Sequence, residues 1–329
     1  MPLPPPPRIG GLELVSPLTL APMSGRTDLA FRLGVRELGG AGLAYTDLVN
    51  PDGAMRRSPR TAQILATAPA DRPLGVQLYG ADAGLMAEAA RRLEAELAPA
   101  VIDINMGCPV WKVTRRGGGA ALLADPPAAA RLAEAVVRAV RVPVTAKLRL
   151  GPDAGHIVAP ELARGLAAAG VAALTVHGRT TEQRYSGSVD LVGIRRVVEA
   201  VPGLPVFANG NVVSYASAVR AVAETGAAGL AIGRAAMRNP WLFRQILAED
   251  AGGPPPDPSR AERIEFMRAH FRRLVELRGV YRGCRQIRKW ASAYGPLIGM
   301  DRASRDRLLR IEQPEELEAL ADKLAGGRV

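Results

Sequence analysis

Cys108 ends a short apolar run, in the string Ile102-Asp103-Ile104-Asn105-Met106-Gly107-Cys108-Pro109. A thiol placed there could be a nucleophile, a metal ligand, an inert side chain or an acid. The chain's second cysteine is Cys284, and no cysteine or histidine lies at ligand spacing from Cys108, which argues against a metal. A thiol with a reference pKa of about 8.5 is mostly protonated at neutral pH, which suits proton donation. Hydride addition to an activated C=C bond creates the need for such a donor, because the carbanion left on the neighbouring carbon must be protonated.

Other polar residues end similar runs. The runs are residues 18–21, 42–46, 74–78, 101–104, 144–148, 173–176, 206–208 and 229–232, short and rich in Val, Leu and Ile as buried strands are. Between them lie helical patterns such as 82–97, 126–140, 160–169 and 214–225, with Asp82 and Ser214 as N-caps and Gly226 just past an end. Strands alternating with helices imply a parallel sheet, and eight such units close into a (β/α)8 TIM barrel. Such a barrel carries its active site where the strands end. This chain would place there Pro22, Met23 and Ser24, then Gln77, Asn105 with Cys108, Lys147 with Arg149, His177, Asn209-Gly210-Asn211, and Gly233-Arg234.

Capping of a turn would account for Gln77, Asn105 or Asn209 taken singly, and a core histidine for His177. The coincidence of all of them at strand ends outweighs those separate accounts. Lys147 and Arg149 point the same way from one strand, and two inward cations need an anion or a carboxylate such as Asp103. The glycine-rich ends of the last two strands form a candidate phosphate cradle, with Arg234 adding charge. A reduced flavin carries negative charge near N1, which would give Lys147 a specific task. Gly117-Gly118-Gly119 has no strand immediately before it and reads as a flexible loop, a candidate lid over substrate, and not as a dinucleotide fingerprint.

The chain has 329 residues, enough for one large domain and a small one. The expected division is a catalytic barrel over 1–249, a Pro/Gly-rich linker over 250–258 and an all-helical domain over 259–329. Helical patterns there cover 259–277, 283–294, 303–311 and 314–324, the first with a capping box from Ser259 and Glu262. The net charge of +11 suits a polyanionic partner, although arginine is abundant throughout. Residues 268–310 concentrate it, with twelve Lys or Arg against three acidic residues. Arg282, Arg285, Arg288 and Lys289 fall near one helical face and are the candidate RNA-phosphate contacts. Two cysteines make no disulfide framework, no apolar run spans a membrane, and residues 1–7 lack a signal-peptide pattern. A cytoplasmic monomer is expected, with no metal and no membrane contact.

With these residues the chain resembles the tRNA-dihydrouridine synthases, in particular their bacterial B-type subgroup. The most specific match is residues 102–109 followed by Lys112-Val113. Ala21-Pro22-Met23, Gln77, Lys147-Leu148-Arg149, Val176-His177-Gly178-Arg179, Ala208-Asn209-Gly210, Ile232-Gly233-Arg234 and Asn239-Pro240-Trp241 follow in the family's order, and 285–294 is similar to its helical RNA-binding domain. The resemblance implies that NADPH reduces bound FMN, that hydride goes to C6 of a uridine extruded from tRNA, and that Cys108 protonates C5. It implies substrate contacts from Asn105 and Arg149. It assigns FMN to Pro22, Met23, Ser24, Gln77, Lys147 and His177, with the phosphate at Asn209, Gly210, Asn211, Gly233 and Arg234. Asn211 stands where the family usually has Asp, Tyr185-Ser186-Gly187 matches but Val189 and Leu191 replace the usual Ala and Trp nearby, and Trp111 is unusual beside the catalytic loop. Two other readings are a flavin-barrel reductase of a small enone or pyrimidine, and a non-catalytic RNA-binding protein. The basic C-terminal region speaks against the first, and the intact Asn105, Cys108, Lys147 and Arg149 against the second.

Overall fold

The computed structural model describes residues 2–326; Met1 and the last three residues of the expected helical domain lie outside them. Eight parallel strands close a barrel: β1 (Leu18–Leu20), β2 (Leu43–Tyr45), β3 (Leu74–Leu78), β4 (Val101–Met106), β5 (Val144–Arg149), β6 (Ala173–His177), β7 (Val206–Asn209) and β8 (Gly229–Ile232). β8 pairs with β1, Leu230 opposite Leu18, so no edge is left open. The expected strands and their order are those observed. Helices such as Ala83–Leu97 and Pro126–Ala139 pack their apolar faces outside the strands. Asp82 caps the first by accepting from the Leu85 N–H at 2.8 Å, and Asp125 the second by accepting from Ala128.

Side chains alternate in and out along each strand, so the barrel interior can be read from every second residue. Toward the strand starts it is apolar, with Leu43, Tyr45, Val101, Ala173 and Phe207 in one buried cluster. Gly75 leaves room for the Tyr45 ring, which a Cβ there would meet at 2.4 Å. A small hairpin, Arg8–Ile9 paired with Leu12–Glu13, adds Ile9 to this cluster and closes that end. Toward the strand ends the interior turns polar, through Gln77, Asp103, Asn105, Thr145, Arg149 and His177.

Residues after Asp250 form no further strand among those described. Arg260–Arg278 is a long helix whose capping box joins Ser259 and Glu262 as expected. The pattern over 283–294 resolves into two helices, Val280–Arg288 and Ala291–Ile298. The break falls at Trp290, which is wholly buried against Phe31, His270 and Tyr294. Phe31 belongs to the helix Leu29–Leu38 that follows β1, so aromatic packing joins the C-terminal helices to the barrel. No helix among the described residues is long and apolar enough to cross a membrane.

Candidate active site at the barrel mouth

A cavity of about 730 Å³ opens at the strand ends. Pro22, Met23, Ser24, Asn105, Cys108, Lys147, Arg149, His177, Asn209, Gly210, Asn211, Gly233 and Arg234 all line it. Gln77 does not; it is fully buried. Its amide Nε2 donates to Asp103 Oδ2 and its Oε1 accepts from Asn105 Nδ2 at 2.8 Å. Asn105 Oδ1 in turn accepts from the backbone N–H of Cys108 at 2.9 Å and of Gly107 at 3.2 Å. A buried relay thus runs from Asp103 through two amides to the Cys108 loop. Asp103 fixes its direction: a carboxylate accepts, so Gln77 must turn its NH2 toward it. Burial raises Asp103 to about 6, opposed by hydrogen bonds from Gln77 and Thr145.

Lys147 does not pair with Asp103. Its Nζ donates to Asn209 Oδ1 at 2.9 Å, and burial, then the charge of Arg149, lowers it to about 8. Arg149 donates to the carbonyls of Gly107 and Thr180, each at 2.8 Å. The His177 ring is pushed down to about 2 by burial and by the cations Lys147, Arg149, Arg179 and Arg234, so it is neutral. Arg179 lies 3.1 Å from His177 Nε2 and can only donate, which leaves the ring proton on Nδ1. Cys108 is half-buried, and desolvation raises its thiol above the ordinary value despite Arg149 and Lys147 nearby. The group is therefore a protonated thiol in a positive surrounding.

Gly210 has φ of 122°, and a Cβ there would meet Val189 Cγ2 at 2.8 Å. Asn211 follows in the left-handed region at φ 54°, where Asn is tolerated, and its Oδ1 accepts from Arg179 at 3.1 Å. Its side chain thus braces the loop, a task that an Asp could also perform. The triple glycine is no open lid. Gly118 lies against the Gly80 backbone, a Cβ on Gly119 would meet the Cys108 carbonyl at 2.7 Å, and Ala120 donates to that carbonyl at 3.0 Å. Absent side chains let this segment pack under the Cys108 loop.

Three cavity or supporting residues escaped the sequence reading, and a fourth, Tyr185, stood there only as a family match without a role. Tyr185 lines the cavity, its ring 4.9 Å from the Arg234 guanidinium and 5.5 Å from that of Arg149. Arg238 lines it as well. Asp47 accepts from the Gly25 and Leu48 N–H groups and holds the turn after β1. Arg26 lines the mouth and donates to the Lys289 carbonyl at 2.7 Å, so that turn also joins the C-terminal helices. A cation inside a strand-end turn is the only sequence signal Arg26 offered.

The cavity lining holds five cationic side chains, Arg26, Lys147, Arg149, Arg234 and Arg238, and no carboxylate among the described residues. Of these, Arg149 is buried, Arg26 and Lys147 are part-buried, and Arg234 and Arg238 stand exposed at the rim. Cations gathered on one lining without a counter-charge there fit an anionic ligand, and the close-approach backbone at Gly210 fits one that presses on the loop. A flavin phosphate has that chemistry. A second depression, of about 460 Å³, is lined by Arg278, Tyr281, Arg282, Arg285, Gln286, Arg288 and Lys289. All four expected RNA contacts are there, but Arg288 is engaged internally, donating to the Ile311 carbonyl at 2.8 Å and pairing with Glu312.

A family profile described as dihydrouridine synthase matches residues 19–325. The chain is 42% identical to a probable tRNA-dihydrouridine synthase of Rhodobacter capsulatus, over 87% of this chain and 88% of that protein. It is 43% identical to tRNA-dihydrouridine synthase B of Pseudomonas aeruginosa, over 73% of this chain and 71% of that protein. A probable tRNA-dihydrouridine synthase of Mycobacterium tuberculosis is 36% identical over 97% of this chain and 85% of its own. Among solved structures, a crystal structure of TcOYE with pHBA superposes with a TM-score of 0.57 at 12% identity, over 78% of this chain and 94% of that one, a likeness of fold. A profile match that runs from the first barrel strand into the last helix leaves one reading: the chain is an enzyme of the dihydrouridine synthase family.

Proposed function

We propose that this enzyme reduces uridine to 5,6-dihydrouridine in tRNA, with FMN held at the barrel mouth and NADPH as reductant. The observation that carries this reading is a cavity with five cations and no carboxylate, closed on one side by a protonated thiol. Lys147, His177 and the Pro22–Ser24 turn would hold the flavin ring, and the Asn209–Asn211 and Gly233–Arg234 segments its phosphate. FMN, when bound and reduced by NADPH, supplies hydride to C6 of the uracil.

The protein's part is the proton. As the C5=C6 electron pair shifts toward C5, Cys108 gives its proton there, and Arg149 and Lys147 stabilise the thiolate that remains. The Asp103–Gln77–Asn105 relay keeps the Cys108 loop in place, since Asn105 Oδ1 is committed to that loop's N–H groups. Arg149 would meet the uracil oxygens. Arg282, Arg285 and Lys289 would hold RNA phosphates outside the mouth.

The test is to purify the protein, look for a bound yellow chromophore, and measure dihydrouridine in unmodified tRNA with and without NADPH. Flavin retention and NADPH-dependent product are expected. A colourless protein that FMN cannot reconstitute would overturn the cofactor assignment. A flavoprotein that reduces free uracil or small enones and leaves tRNA untouched would overturn the substrate.

A further inference from the structure

Three residues beyond Cys108, Trp111 stands 72% exposed. The other two tryptophans, Trp241 and Trp290, are 5% and 0% exposed. A tryptophan ring carries one of the largest apolar surfaces of any side chain, and leaving it in water forfeits its burial. No aromatic or cationic partner covers it among the described residues. Nor is the segment loose. Trp111–Thr114 is a helical turn in which Thr114 donates to the Val110 carbonyl at 3.1 Å, and Arg115 to that of Trp111 at 2.9 Å. Val113 is buried against Gly119 and anchors the turn from below. The indole is thus displayed on a fixed support.

Its neighbours are cationic. Lys112 and Arg115 are exposed and not ion-paired among the described residues, and Arg116 reaches Asp52 only at 3.8 Å. Val110 lines the mouth, so the turn forms part of its rim. Three peptide units span at most about 11 Å, which keeps Trp111 within reach of a base next to one that reacts at Cys108. An exposed ring flanked by free cations is the pattern by which proteins hold single-stranded nucleic acid, stacking a base and tracking its phosphates. A two-fold contact between copies of this chain would instead set Lys112, Arg115 and Arg116 against their own copies, a like-charge arrangement.

We propose that Trp111 is a stacking platform for a nucleobase flanking the extruded uridine, with Lys112 and Arg115 on the adjoining phosphates. The proposal rests on the RNA reading above.

The test uses the full-length holoprotein and an in vitro transcribed tRNA, with tryptophan emission quenched by acrylamide. Accessible emission comes from Trp111, so saturating tRNA should cut the quenching slope about twofold or more, as a stacked base covers the ring. Trp111→Ala should weaken tRNA binding roughly 5- to 100-fold, the size of one base stack, and leave the salt dependence as steep as before. Trp111→Phe should recover most of the affinity, and Trp111→Leu should not. Lys112→Ala should lower the slope of log affinity against log salt by about 0.7. Unchanged quenching with RNA bound, or full affinity in Trp111→Ala while Arg285→Ala is weakened, would overturn the platform and leave the RNA reading intact. Protection that grows with protein concentration in the absence of RNA would assign the ring to a second copy. A wild-type protein that binds no transcript would overturn both readings.

Discussion

At the barrel mouth, Lys147, Arg149 and Arg179 lean on neutral acceptors: an amide oxygen, main-chain carbonyls and an imidazole nitrogen. In the C-terminal helices, Arg268, Arg272, Arg273, Arg278 and Arg288 each reach a carboxylate instead. The first arrangement positions charge without cancelling it and so keeps the charge available to an anionic ligand. The second cancels part of its charge internally and leaves Arg282, Arg285 and Lys289 among the cations facing outward. A buried site of the first kind is screened little by salt, whereas surface contacts with phosphates weaken steeply as salt rises. Tight flavin retention and salt-sensitive RNA binding are therefore expected side by side.

The largest effect should come from Cys108→Ala. It should retain flavin and lose about 10²- to 10⁴-fold of dihydrouridine formation, the usual worth of a positioned acid. Near wild-type turnover in a single-turnover assay would remove the thiol from the mouth's chemistry. Next is Lys147→Met, expected to weaken FMN binding roughly 10- to 100-fold, as removal of a charged hydrogen bond does. Its pH dependence follows from a lysine held at about 8: the charged form that attracts an anion is complete below that pH and is lost as pH rises through it. Affinity of the apoprotein for FMN, followed by flavin fluorescence, should be level below pH 8 and fall above it. Lys147→Arg should flatten the upper limb, and a fall of the same shape in that variant would point to another group.

A smaller effect is expected from Arg282→Ala with Arg285→Ala. tRNA affinity should drop, and the salt slope should shrink by about 0.7 to 0.9 for each phosphate that the protein no longer neutralises. An unchanged slope would mean that the outward cations are not the RNA surface. Smallest is Arg288→Ala, which belongs to the other side of the contrast. The truncation leaves the Ile311 carbonyl without its donor, and should lower thermal stability by about 1 kcal/mol, a shift of roughly 2–4 °C. A drop in tRNA affinity with no change in melting would return Arg288 to the binding surface.

The barrel was legible because its strands are short apolar runs that stop at polar residues, and nearly every residue so marked reaches one cavity. Gln77 shows where that reading thins. Strand position sets it at the right end of β3, but only the alignment of three strands reveals that its amide is spent on Asp103 and Asn105. The count of twelve cations against three acids over 268–310 misled for a related reason. The partners of Arg268, Arg272, Arg273, Arg278 and Arg288 lie outside that window, at Asp322, Glu318, Glu37, Asp28 and Glu312 respectively. Helical periodicity ran through Trp290 without interruption, because the break there comes from packing of its ring against Phe31 and His270. The glycines at 117–119 read as freedom, whereas their neighbours use the missing side chains to pack closely.

The hairpin that seats Ile9 in the far end of the barrel also governs traffic. With that end stoppered, the mouth is a cul-de-sac, and everything that enters it arrives and departs by the same door. If the mouth holds a flavin as proposed, a nicotinamide and an RNA base that need the same face of it would have to take turns. Reduction and RNA modification would then be separate visits, and whichever partner lingered would hold up the other.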